Sequence, residues 1–309
     1  MLGWLRKRIA GAATVDVAEP EGLTADELRE IRRLHIVLGR KVDSLFAGEW
    51  RSAVRGQGME FEEVRAYSPG DDVRRIDWNV TARSGEPFVK VYKEERQATV
   101  LLLVDVSAST RTGTGGRDGR TDRRLQAARV AGGVAFASIR NQDRIGLVTF
   151  TDRVESYLSP RRSRGHAWAV IQKVYAHDHK GHGTDLAAAI HFVQSVQRRR
   201  AVVVLISDFL DDGPWMDALG ALCGRHKVHA VLLHDALDRG VPGVGLLDLV
   251  DPETGEHRVV DGDRWAARQA VDDRLLALRR KGARAMALST DDDAFTVLHR
   301  HFQAEGGRR

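Results

Sequence analysis

Three short stretches of this chain carry oxygen-bearing side chains whose types and spacing suit one metal ion. They are Asp105-Val106-Ser107-Ala108-Ser109, Gly183-Thr184-Asp185 and Ser207-Asp208. A loop of the form Asp-x-Ser-x-Ser can turn one carboxylate and two hydroxyls toward a common centre. Thr184 would add a hydroxyl from a second loop, and Asp208 a direct or water-bridged carboxylate from a third. Mg²⁺ takes six oxygens in near-octahedral array at ~2.0–2.1 Å and usually keeps some waters. Two aspartates offset the charge of such an ion while neutral hydroxyls donate little. The ion would therefore stay electrophilic and hold an open position for an Asp or Glu carboxylate from a partner. The expected ligands are Asp105, Ser107, Ser109, Thr184 and Asp208, and the expected ion Mg²⁺, with Mn²⁺ or Ca²⁺ as alternatives. In the plainer reading, Asp105 and Asp208 cap helices and the hydroxyls bond to backbone. Agreement among three separated segments favours the metal.

The elements that must position these residues follow from periodicity. From Ala98 onward, strand candidates at Thr99 to Val104, Ile145 to Phe150, Val202 to Ile206, Val228 to His234 and Ala283 to Leu288 alternate with helical stretches. The helices are expected at Arg123 to Arg140, His166 to Tyr175, Asp185 to Gln197, Trp215 to Cys223 and Arg264 to Arg280. Near-continuous apolar strands between amphipathic helices imply an α/β fold, a doubly wound, mostly parallel sheet covered on both faces. Val154 to Leu158 and His257 to Val260 read as edge or hairpin additions. In such sheets ligands bind beyond the carboxyl ends of the strands, and Asp105 and Asp208 stand at two of those ends. This domain is expected over 98–304, with 305–309 a disordered tail and a flexible loop from Gly113 to Gly119.

The first third of the chain differs. Residues 1–22 read as a flexible N-terminus, and 23–97 as a small subdomain of one helix followed by strands and loops. Its helix opens on a capping box, Thr24 with Glu27, between the stapling side chains Leu23 and Leu28. Ser68-Pro69-Gly70-Asp71 has the residues of a type II turn. Arg65, Asp71, Asp72, Arg74, Arg75, Asp77 and Arg83 are expected to form a salt-bridge lattice, with Ile76 and Trp78 fixing it to the core. A partner-docking surface is the competing reading of the same segment.

The three polar segments resemble the MIDAS metal site of von Willebrand factor A-type domains, in order and on the expected elements. The run RGQGMEFEEVRAYSPGDDVRRIDWNVTAR, Arg55 to Arg83, is similar to the signature of the bacterial family called domain of unknown function 58. In that family the signature precedes a von Willebrand A-like, Rossmann-like domain, as it does here. Thr110 stands where many relatives carry methionine, and the N-terminal membrane helices of many relatives are not found here. The resemblance implies a non-enzymatic adaptor that works with a MoxR-type AAA+ ATPase in chaperone-like assembly or metal insertion, gripping a carboxylate on the ATPase or its client.

Composition bounds the alternatives. With 42% hydrophobic and 29% charged residues the 309-residue chain reads as a globular protein. Its 48 basic and 43 acidic residues are interspersed, which gives no reason to expect nucleic-acid binding. Cys223 is the one cysteine; it excludes an internal disulfide, fits a reducing cytoplasmic setting, and reads as a small buried side chain. No apolar run reaches the ~18 residues of a membrane span. Leu2, Trp4, Leu5 and Ile9 leave peripheral membrane contact open, against a frayed terminus. His177, His179 and His182 could form a second metal site, although loop histidines so spaced are usually solvated. A phosphohydrolase using Asp105 as nucleophile is the rival function. It would favour a second acid where Ser107 stands and a lysine on a later strand end. Gly56-Gln57-Gly58 fails the dinucleotide pattern at Phe61, and no P-loop is present, so any ATP hydrolysis would belong to a partner.

Overall fold

The computed structural model describes residues 59–94, 98–111, 122–175, 181, 183–235, 238, 246–250, 257–261 and 271–306. The helix expected after Thr24, the Gly113 to Gly119 loop and His177, His179 and His182 lie outside the described residues. Strands β1 (Met59–Ala66) and β2 (Phe88–Glu94) pair antiparallel around helix α1 (Trp78–Ser84). The expected turn forms: Gly70 takes φ 108° and the Asp71 amide donates to the Ser68 carbonyl at 3.1 Å. That left-handed φ suits a residue without Cβ. Asp77 caps α1 by accepting from the amides of Asn79 and Val80, and Gly85 ends it at φ 79°.

The salt-bridge lattice does not form as expected. Arg65 pairs with Asp71 at 2.7 Å and Asp77 pairs with Lys90 at 3.3 Å, while Arg74, Arg75 and Arg83 stand exposed. Trp78 does not fix the segment to a core; it is 70% exposed. The cause is helical phase. Ile76 bridges to Val89 and the Thr81 hydroxyl accepts from the Phe88 amide, so Ile76, Val80 and Thr81 face the hairpin, half-buried. Trp78, Asn79, Ala82 and Arg83 then fall on the outer side.

The principal sheet is built from β3 (Thr99–Asp105), β4 (Arg144–Phe150), β5 (Val154–Arg161), β6 (Val202–Ser207), β7 (Lys227–His234) and β10 (Arg284–Ser289), in the order β10-β7-β6-β3-β4-β5. All pairings are parallel except β4 with the edge strand β5. A separate antiparallel pair comprises β8 (Leu246–Val250), which periodicity did not suggest, and β9 (His257–Asp261). Because β4 lies on one side of β3 and β6 on the other, chain direction across the sheet reverses at β3. The crevice for a ligand is thus expected at the carboxyl ends of β3 and β6.

Alternation along each strand decides which helices cover which face. Val100, Leu102 and Val104 pack with α2 (Arg123–Arg140), α3 (Arg164–Tyr175) and α7 (Ala294–Gly306). Leu101, Leu103, Val203 and Leu205 pack with α4 (Leu186–Val196), α5 (Trp215–Arg225) and α6 (Val271–Arg280). Helix α7 was not anticipated and runs through Gly306, two residues into the stretch expected to be a disordered tail. Gly146 allows β4 and β5 to approach: a Cβ there would meet Leu101 Cδ1 and Pro160 Cγ at 2.9 Å. Cys223 is half-buried rather than buried, and burial pushes its thiol up to about 11, away from nucleophilic chemistry. No described helix is long and apolar enough to cross a membrane.

Candidate metal centre at the strand carboxyl ends

Two loops leave the sheet where its direction reverses, after β3 and β6, and carry the first and third expected segments; the second, Gly183-Thr184-Asp185, leads into α4. Asp105 ends β3 and is buried. Its Oδ1 accepts from the Ser107 amide at 2.9 Å and its Oδ2 from the Ser207 hydroxyl at 2.7 Å. The Ser107 and Ser109 hydroxyls lie 3.0 Å apart in the loop that follows Asp105. The Thr110 hydroxyl donates to the Ser107 carbonyl at 2.7 Å and accepts from Arg124 Nε at 3.0 Å. Arg124 also reaches the Val106 carbonyl at 2.6 Å. Thr110 is therefore a polar brace beneath the loop.

Asp208 follows β6 and is held from several directions. Its Oδ1 accepts from the Leu210 amide at 3.1 Å and its carbonyl from Arg274 Nη1 at 2.5 Å. Phe209 sits at φ 56°, a left-handed conformation uncommon for a bulky residue, with its ring against Trp215. Such a geometry persists where the surroundings over-determine it. With Asp208 so fixed, its Oδ2 remains buried and accepts no hydrogen bond.

Thr184 lies one residue before Asp185, which caps α4 through the Ala188 amide. The Asp185 amide donates to the Thr151 carbonyl, just past β4, and the Leu186 amide to Asp211 Oδ2, just past β6. Since β4 and β6 flank β3, the segment carrying Thr184 is tied on both sides of the strand that ends at Asp105. The two aspartates are also helix-end and turn residues in the plainer sense, since each accepts a local backbone amide. That local role uses Oδ1 of each carboxylate; Asp105 Oδ2 accepts from Ser207, and Asp208 Oδ2 has no hydrogen-bond partner.

The electrostatics favour a cation. Burial first, and the Asp208 charge second, push the Asp105 carboxyl up to about 7, against the opposing hydrogen bonds from Ser107 and Ser207. Buried like charges repel each other, and a dication would relieve both. All donors here are oxygens, two from carboxylates and the rest from hydroxyls, the chemistry of hard ions such as Mg²⁺, Mn²⁺ or Ca²⁺. No group of three or more His, Cys, Asp or Glu side chains suited to a metal occurs among the described residues, so softer ions have no competing cluster there.

A pH dependence follows. Between the ordinary carboxyl value of 3.8 and about 7, the folded chain keeps a proton on Asp105 that the unfolded chain has released. In that window this group's contribution makes the metal-free protein less stable as pH rises, because the native state binds more protons. Unfolding followed in chelator across the window is expected to show this decline in wild type and not in Asp105→Asn. Parallel profiles for the two proteins would contradict the burial of a titrating Asp105.

Several contacts of the site carry no local signal in the sequence. Ser207 donates to Asp105, and its oxygen accepts from the Phe209 amide at 3.0 Å. Arg123, at the start of α2, donates to the Ser109 carbonyl at 3.1 Å and grips both oxygens of Asp238 at 2.6 and 2.7 Å. Arg123 and Arg124 thus hold the loop after β3 by its carbonyls, and Arg274 the one after β6.

The profile of the family described as "Protein of unknown function DUF58" matches residues 63–281, well over half the chain. This chain belongs to the DUF58 family. An uncharacterized protein of Mycobacterium tuberculosis is 33% identical over 273 residues, spanning 85% of this chain and 84% of its own length. An uncharacterized protein of Paracoccus denitrificans, described by its position in the moxR 3′ region, is 46% identical over 87 residues, 27% of this chain and 83% of its own. Among solved structures, BatB from Bacteroides thetaiotaomicron aligns with a TM-score of 0.46 at 14% identity, covering 67% of this chain and 98% of that one. The DUF58 match takes in the 63–94 hairpin segment and all five expected ligands, and it stops short of β10 and α7.

Proposed function

We propose that this DUF58 protein is a non-enzymatic, metal-dependent adaptor that grips an acidic side chain of a partner protein. Asp105, Ser107, Ser109, Thr184 and Asp208 hold the ion, Mg²⁺ in the first instance. The observation that carries this reading is the unpartnered, buried Oδ2 of Asp208 beside the buried carboxylate of Asp105. An orphaned buried carboxylate oxygen costs free energy unless something positive meets it. When bound, the ion supplies an electrophilic open position for a carboxylate. The chain's own residues then do the positioning: Ser207 and the Ser107 amide orient Asp105, and Arg274 and the Leu210 amide orient Asp208. Leu210, partly exposed two residues from Asp208, offers apolar contact beside the incoming acid.

Ser107 stands where phosphoryl transfer would favour a second acid, which supports ligation over nucleophilic attack on phosphate. For the partner we infer a MoxR-type AAA+ ATPase, with a client protein as a second carboxylate donor. The support is the relative described by its place beside moxR. Affinity capture of tagged protein is expected to recover the ATPase in Mg²⁺ buffer and to lose it in excess chelator or with Asp105→Ala. Recovery of an intact complex in chelator would overturn a metal-bridged contact.

A further inference from the structure

The outward face of the turn and helix at 73–83 has no role in the metal centre, yet it concentrates the side chains that bind proteins. Val73 is 60% exposed and Trp78 70% exposed. Between and beside them stand Arg74, Arg75 and Arg83, all exposed and without a hydrogen bond or ion pair from their side chains among the described residues. The face is rigidly presented. Asp72 caps the three-residue turn Val73–Arg75 through the Arg74 amide, Asp77 caps α1, and the Asp77 amide is tied to the Phe88 carbonyl at 2.8 Å.

The acids at 71, 72 and 77 are already engaged. Asp71 lies against Arg65, Asp72 serves as a cap, and Asp77 caps α1 and meets Lys90. Elsewhere among the described side chains, Glu63 lies near Arg65, and Glu86 is exposed beyond the end of α1. What faces solvent from 73 to 83 is therefore two large apolar side chains among three uncommitted guanidinium groups. Tryptophan and arginine dominate the centres of protein interfaces, where a ring fills a pocket and a fork meets carboxylates.

We infer that this face docks an acidic segment of a partner protein, one that inserts an apolar side chain against Trp78 and Val73 while its carboxylates meet Arg74, Arg75 and Arg83. The contact is separate from the metal centre and needs no ion, so it survives if the adaptor reading of that centre fails. It gives this protein a second handle on a partner.

The test uses full-length protein and fluorescent synthetic peptides in which acidic content and one Leu or Phe are varied independently, read by anisotropy. In chelator, where the metal centre takes no part, acidic peptides bearing the apolar residue are expected to bind, and to bind wild type and Asp105→Ala equally. Trp78→Ala is expected to weaken binding roughly tenfold or more, and Arg74→Glu with Arg75→Glu to abolish it. Because these side chains are exposed, unchanged melting temperatures verify that the variants fold. The proposal is overturned if lysine-bearing peptides bind as well as acidic ones, if no acidic peptide binds, or if the variants match wild type. It is also overturned if phosphatidylserine vesicles recruit the protein through Trp78 while the peptides do not, since that would make the face a membrane contact.

Discussion

Asp105→Ala is expected to abolish a rise in melting temperature that Mg²⁺ or Mn²⁺ produces in the wild-type protein. A ligand that binds only the native state at about a hundred times its Kd adds about 2.7 kcal/mol of stability. For a domain of this size that corresponds to roughly 5–10 °C, at about 2–4 °C per kcal/mol. In chelator above about pH 7, where Asp105 has lost its proton, the order should reverse. Wild type then buries two carboxylates with one oxygen orphaned, whereas Asp105→Asn removes one of the charges and relieves the other. That variant is expected to be the more stable of the two without metal and unresponsive to it. Differential scanning fluorimetry with and without metal measures both effects. An equal Mg²⁺ shift in wild type and Asp105→Ala would show that the ion binds elsewhere.

The second large effect is expected at a residue with no place in the metal-binding motif. Asp238 holds the buried guanidinium of Arg123 through two short hydrogen bonds and accepts the Asp235 amide at 2.8 Å. Removing one partner of a buried pair leaves an uncompensated charge, at a cost of about 3–5 kcal/mol. Asp238→Ala should therefore destabilise the protein by about 3 kcal/mol or more in urea unfolding. It should also weaken the response to Mg²⁺, because Arg123 steadies the Ser109 carbonyl in the loop that holds two of the hydroxyls. Replacing both partners, with Arg123→Met and Asp238→Leu, should recover much of the stability, since an apolar pair leaves no buried charge. A loss below about 1 kcal/mol for Asp238→Ala alone would mean that the pair is screened by solvent and braces nothing.

The contrast between these two residues explains what could be read before the structure. Asp105 and Asp208 each end a run of apolar strand residues, so a polar break in a strong local pattern marked them. The same patterns located β3, β4, β6 and β7 nearly to the residue, and α2 over its whole length. Arg123 and Asp238 are separated by 115 positions, and Arg274 reaches Asp208 across 66. No local pattern brings such pairs together; only the winding of the sheet does. Helix α7 was overlooked because its inward side chains Ala294, Phe295, Leu298 and Phe302 are interleaved with Thr296, His299, Arg300 and Gln303, a sparse stripe beside the dense ones of α2.

Trp78 was misread for a related reason. A tryptophan in a charged segment is expected to seek the nearest core, since burying a large ring is favourable. Here the phase of a seven-residue helix is set by Asp77 at its cap and by Ile76, Val80 and Thr81 against the hairpin. Those contacts turn the indole outward. Local capping and pairing outweighed the burial of one side chain, and the ring was left where a partner can meet it.

Anomalous diffraction from Mn²⁺-soaked crystals would examine the metal centre most directly. One strong peak is expected above the carboxyl ends of β3 and β6, within coordinating reach of Asp105, Ser107, Ser109, Thr184 and Asp208 or bridged to them by water. A map with no peak there, or with Mn²⁺ bound only at other residues, would contradict the account.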